Sequence, residues 1–156
     1  MTDRPIGESH AGPVSVGHLH QALRVALLSA GLACMVGSAI SPWYIWFKSS
    51  YFSDMEILSL ARLLLAVPER LGPSRMYATV GVLLTISLWL CALVRVGADN
   101  ERADVGMALL TALAVLTLIA CHAALSNAIN ATAGAGLPFM LLAATCSGVC
   151  AVKLRR

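Results

Sequence analysis

Four long apolar blocks dominate this sequence and leave few architectures open to it. The blocks cover about residues 25–40, 76–94, 105–125 and 136–152. A run of about 18 or more apolar residues is long enough to cross a bilayer as a helix. The first block is short by this measure, but it lengthens if Arg24 extends its charged end to the interface. The pattern therefore predicts an all-α membrane protein with a bundle of four transmembrane helices.

The composition agrees with this class and excludes several others. Hydrophobic residues make up 58% of the chain and charged residues 12%, whereas soluble domains have about 45–50% apolar and about 25% charged residues. The sequence contains no phosphate-binding glycine loop, serine nucleophile elbow, His-Glu-x-x-His motif or basic nucleic-acid patch. We therefore expect the lipid bilayer as the chief partner, with no catalytic residue, metal, cofactor or nucleic acid.

The predicted organisation is one membrane domain with two short tails. Its boundaries are a disordered tail (1–21), four spans (22–43, 76–96, 104–125 and 136–153), an external segment (44–75) and a C-terminal tail (154–156). In outline this plan resembles that of tetraspan proteins such as claudins. The external segment lacks the tryptophan, Gly-Leu-Trp and paired-cysteine pattern of claudins, so the resemblance assigns no role to any residue.

The basic residues near the span ends predict the orientation, because lysine and arginine concentrate on the cytoplasmic side. Seven lie on the side of the termini: Arg4, Arg24, Arg95, Arg102, Lys153, Arg155 and Arg156. Four lie on the other side: Lys48, Arg62, Arg70 and Arg75. We therefore expect a multi-pass protein of the cell membrane with both termini in the cytoplasm.

The segment between the first two spans combines aromatic residues with an amphipathic period. Six of the nine aromatic residues, Trp43 and Trp46 among them, lie between positions 43 and 52, as in an interfacial aromatic belt. Farther along, Ile57, Leu60 and Leu64 recur at helical spacing, which predicts an interfacial helix over residues 54–67. Such a helix either docks a partner or merely connects two spans.

Small residues recur every fourth position along the first span. The two adjacent stripes are Ala26, Ala30, Cys34 and Ser38, and Ser29, Ala33 and Gly37. Helices in lipid associate where small residues let their backbones approach closely. These stripes are therefore candidates for contact with another integral membrane protein or a second copy of the chain, unless they only reflect the abundance of alanine.

Polar side chains cluster at the predicted outer end of the third span. They are His122, Ser126, Asn127 and Asn130. Such a cluster either lines a vestibule or links helices by hydrogen bonds. All five cysteines lie inside the predicted spans, which argues against a secreted type of disulfide framework.

These features predict a non-catalytic role. The segments outside the membrane are too short for a catalytic domain, and the spans lack central carboxylates and bases. The expected function is that of an accessory, assembly or regulatory subunit of a larger membrane complex. The alternative is a small channel or carrier that acts as a homo-oligomer and uses the polar cluster as its external mouth.

Overall fold

Long helices and one small sheet form the part of the chain that the computed structural model describes, residues 16–47, 55–65, 72–95, 101–128 and 131–152. The elements are α1 (Val16–Ile40), β1 (Pro42–Phe47), β2 (Met55–Ser59), α2 (Leu60–Leu65), α3 (Gly72–Arg95), α4 (Glu101–Ala128), β3 (Ala131–Ala133) and α5 (Gly136–Ala151). The described chain is mostly helical, which fits the predicted all-α class.

Three of the helices are long and apolar enough to cross a membrane. The candidate spans are Gly17–Ile40, Pro73–Val94 and Asp104–Asn127. The fourth predicted span is also an apolar helix, α5, but it has only 16 residues. At about 1.5 Å per residue it is about 24 Å long, shorter than the apolar core of a bilayer, which is about 30 Å thick.

The short helix α5 is the centre of the packing. It contacts α1, α3 and α4, and 9 of its 16 residues are buried. Small residues make this possible: a methyl group added to Gly148 would overlap Thr111 of α4, and one added to Gly31 of α1 would lie 3.1 Å from Ser147 Oγ. Close backbone approach of this kind supplies the contact between helices when no water drives them together.

Helix α1 lies at the edge of this arrangement. It packs mainly against α5 and only slightly against α3. It also begins earlier than expected, at Val16, so residues 16–21 of the predicted disordered tail belong to a helix. It ends at Ile40 rather than at 43, because Pro42 cannot donate the next helical hydrogen bond and disfavours helical geometry at Ser41.

A three-stranded antiparallel sheet joins the two connections at one end of the helices. The strand order is β2-β1-β3, with Ile45 opposite Ile57 on one side and opposite Thr132 on the other. Strand β1 directly follows α1, and β3 lies between α4 and α5. The sheet therefore places the α1–α3 connection and the α4–α5 connection at the same end, as the predicted topology requires of its two external segments.

The interfacial helix predicted over residues 54–67 is not what the structure contains. Residues Met55–Ser59 form β2, and only the six residues Leu60–Leu65 are helical. The apolar period of this segment suits a helix, but pairing with the aromatic strand β1 satisfies the backbone of β2. Strand preference is decided by such tertiary context more than by local sequence.

The opposite end of the helices holds the beginning of α1 and the end of α5. The Cys150 thiol donates a hydrogen bond to the Arg24 carbonyl oxygen at 3.6 Å. Both outer ends of the described chain therefore lie at the same end of the helices, away from the sheet.

Candidate functional site

The densest group of buried polar contacts lies where the sheet meets the helices. We call it the polar layer, and it consists of Ser38, Trp43, Tyr44, Cys121 and His122. The first four side chains are buried and His122 is half-buried. Buried polar groups are costly unless they are paired, so their partners define what this layer does.

One half of the layer fastens the end of α1 to the beginning of α5. The Ser38 hydroxyl donates to the Gly136 carbonyl oxygen at 2.8 Å, and the Trp43 indole N–H donates to the Ser38 carbonyl oxygen at 3.0 Å. The Ser38 carbonyl belongs to the last turn of α1, where carbonyls lack helical partners. Gly136 is required here, because a methyl group at this position would overlap the Trp43 ring.

The other half joins β1 to α4, and α4 to α3. The Tyr44 hydroxyl lies 3.4 Å from His122 Nδ1, and the two rings stack with centroids 6.0 Å apart and planes inclined by 16°. The Cys121 thiol donates to the Ser74 carbonyl oxygen at 3.5 Å. Burial, with a further contribution from the nearby Cys121, raises the pKa of Tyr44. The phenol therefore stays neutral and donates whenever Nδ1 of His122 carries no proton.

The predicted polar vestibule is divided between different contacts. His122 faces Tyr44, while the exposed Ser126 hydroxyl donates back to the Ala123 carbonyl oxygen of its own helix at 3.1 Å. Asn127 is exposed, and Asn130 lies outside the described residues. The vestibule stays a prediction.

The two small-residue stripes of α1 are also divided. Ala26, Ser29, Ala30 and Ala33 are exposed, and we call them the small-residue face. Cys34 and Gly37 are half-buried, with Gly37 directed at the Phe139 ring. Ser38, which the sequence pattern grouped with the partner-facing residues, is fully buried in its bond to Gly136.

The residues of the predicted aromatic belt and interfacial helix are also divided between buried and exposed positions. Trp43 is fully buried in the fold, and the side chain of Trp46 lies outside the described part of the chain. Ile57 is exposed, while Leu60 and Leu64 are half-buried against the core. The signal that indicates the buried role of Trp43 is the β-prone run Pro42–Phe47 immediately after a helix stop.

The contacts of the polar layer are those of a structural joint. Cys121 and His122 are neighbours in sequence. The thiol bonds to the Ser74 carbonyl oxygen of α3, and both side chains interact with Tyr44 of β1. Among the described residues, no three His, Cys, Asp or Glu side chains come together as metal ligands would. The hydrogen bonds of the polar layer join separate elements of the fold. No protein-family model and no curated protein matches the sequence.

The buried phenol predicts a specific loss of stability in alkali. Because the pKa of Tyr44 is higher in the folded protein than its ordinary value of about 10, its stabilising contribution is complete below about pH 10 and is lost as the pH rises further. Unfolding temperatures measured from neutral pH upwards should fall more steeply above about pH 10 in the wild type than in Tyr44→Phe.

The exposed Tyr77 on α3 provides the control for this effect. Tyr77→Phe should follow the wild type over the whole pH range, since its ring is 36% exposed whereas that of Tyr44 is fully buried. Parallel curves for the wild type and Tyr44→Phe would contradict the burial of the phenol.

Proposed function

We propose that this chain is a non-catalytic subunit of a larger complex in the cell membrane, with four spanning helices and both termini in the cytoplasm. Its partner is another integral membrane protein, or a second copy of the chain, held by the small-residue face of α1. The subunit assembles or regulates the complex and performs no chemistry of its own.

The exposure of α1 is the observation that carries this proposal. In α1, 17% of the most apolar stretch is buried, compared with 22% in α4 and 33% in α3. Its contact with α5 uses the opposite side, where Leu28 and Gly31 are buried. The small-residue face, with members at positions 26, 29, 30 and 33, leaves a smooth surface on which a second helix can lie closely.

The position of α5 supports a fourth span despite its length. The helix packs against α1, α3 and α4, and 9 of its 16 residues are buried. A helix that is shorter than the apolar core is accommodated at modest cost by thinning of the bilayer or by its neighbours.

The alternative, a channel or carrier made from several copies, would use His122, Ser126, Asn127 and Asn130 at its mouth. The exposed positions of Ser126 and Asn127 near the end of α4 favour it. The hydrogen bonds of His122 and Ser126 within the chain favour the subunit instead.

Enlarging the small-residue face tests the proposal. We expect Ala30→Leu combined with Ala33→Leu to abolish co-purification of a stoichiometric membrane partner in mild detergent. The stability of the chain itself should change by less than about 0.5 kcal/mol, as for other surface substitutions. Mass spectrometry of the tagged protein identifies the partner, and thermal unfolding measures the stability.

Ala112 on α4 provides the matched control, because it is also an exposed helical alanine. Ala112→Leu should leave the partner bound. If the wild type purifies without a partner and conducts a solute in liposomes, and if His122→Ala abolishes that conduction, the channel alternative replaces the subunit.

A further inference from the structure

A shallow cleft lies at the end of the helices opposite the sheet. We call it the terminal cleft, and it opens between the first turns of α1 and the last turn of α5. Its walls include Leu23 and Leu27 from α1 and Val149 from α5, with Arg24 and His20 beside them. The bond from the Cys150 thiol to the Arg24 carbonyl holds the two helices together here.

Arg24 gives the terminal cleft a positive charge, and none of the described residues that line the cleft is Asp or Glu. Arg24 is the single Lys, Arg, Asp or Glu residue of α1. It is half-buried and lies close enough to Cys150 for the two groups to interact electrostatically. A guanidinium presents a planar fork of N–H donors that fits two oxygens of a phosphate group.

The apolar walls of the cleft continue into the outer surfaces of the helices. Leu23 is 47% exposed and Val149 is 49% exposed, and each belongs to an apolar helix. His20 and Arg24 are one helical turn apart near the beginning of α1, and Arg24 lies beside the last turn of α5. A ligand that fills the cleft therefore meets positive charge at one end and hydrocarbon along its sides.

We propose that the terminal cleft binds the headgroup of an anionic phospholipid. The phosphate accepts hydrogen bonds from Arg24, and the first part of an acyl chain lies against Leu23 and Val149. Basic pockets between membrane helices recognise acidic lipids through this combination of charge and apolar contact. A free phosphate ion would use only the charged half of the site.

Lipid retention by the full chain tests this proposal. The protein is reconstituted into vesicles of phosphatidylcholine mixed with phosphatidylglycerol, extracted in mild detergent, and examined by native mass spectrometry. We expect the wild type to retain phosphatidylglycerol about fivefold better than Arg24→Gln, the effect of one basic residue near a lipid surface. Arg75→Gln, which removes an exposed basic side chain at the other end, should retain it like the wild type.

A second variant keeps the test valid if Arg24→Gln folds poorly. Val149→Trp fills the apolar half of the cleft without changing the charge, and it should also reduce retention of phosphatidylglycerol. Equal retention of the two lipids by the wild type, or undiminished retention of phosphatidylglycerol by a folded Arg24→Gln or Val149→Trp variant, would overturn the proposal. Displacement of the lipid by excess inorganic phosphate would overturn it too, because the site would then bind an ion.

Discussion

Trp43→Ala should lower the free energy of unfolding by about 3–5 kcal/mol, the range for a large aromatic side chain in a core. The Trp43 ring is completely buried between the sheet and the beginning of α5. Its truncation leaves a cavity and also leaves the Ser38 carbonyl oxygen without the indole N–H that it accepts from. Denaturant unfolding in detergent micelles, followed by circular dichroism, measures the loss.

The comparison with an exposed aromatic residue decides what this result means. Tyr77→Ala on α3 removes a ring that is 36% exposed, and we expect a loss well below that of Trp43→Ala. If the two variants lose the same small amount, Trp43 is an interfacial residue of the predicted belt and the sheet is not docked on the helices. A large difference supports the polar layer as the joint between them.

The second large effect is expected where Gly148 of α5 packs against Thr111 of α4. Gly148→Ala places a methyl group into the Thr111 side chain, and overpacking of this kind costs about 1–3 kcal/mol. Alanine also favours the helix over glycine by about 1 kcal/mol. The substitution therefore combines a stabilising gain in helix propensity with a destabilising steric clash. The same unfolding measurement gives the net change.

Gly106 on α4 separates the two contributions. It is a helical glycine with nothing within 4 Å of an added methyl group, so Gly106→Ala should be neutral or slightly stabilising. The difference between the two variants reports the clash alone. Adding Thr111→Ala to Gly148→Ala should recover part of the loss, as expected for residues in contact. Equal stabilities of the two glycine variants would mean that α5 does not lie against α4 as described.

The sheet explains why the buried polar contacts of the polar layer lie at one end of the helices. Strand β1 pairs with β2 and β3, so the two predicted external segments act as one unit. The polar layer lies directly beneath that unit, with bonds from β1 to α4 and from α1 to α5. At the other end, the Cys150 thiol bonds the last turn of α5 to the Arg24 carbonyl, next to the terminal cleft.

The sequence by itself predicted three of the four apolar helices to within a few residues. The predicted spans 76–96, 104–125 and 136–153 correspond to α3 (Gly72–Arg95), α4 (Glu101–Ala128) and α5 (Gly136–Ala151). This succeeds because a run of apolar residues is a local property, and a helix satisfies its backbone within its own segment. The sequence alone did not show that the fourth helix lies at the centre of the packing.

Only the tertiary structure decided what the residues between the helices do. Ile45 pairs with Thr132 from a distant connection, and no local pattern records such a pairing. The strand Met55–Ser59 pairs with β1 where the sequence predicted a helix, and Trp43 is buried in the fold. The same is true of α1, where helical spacing identified the small residues but only the packing on α5 separated the buried Ser38 from the exposed Ala30.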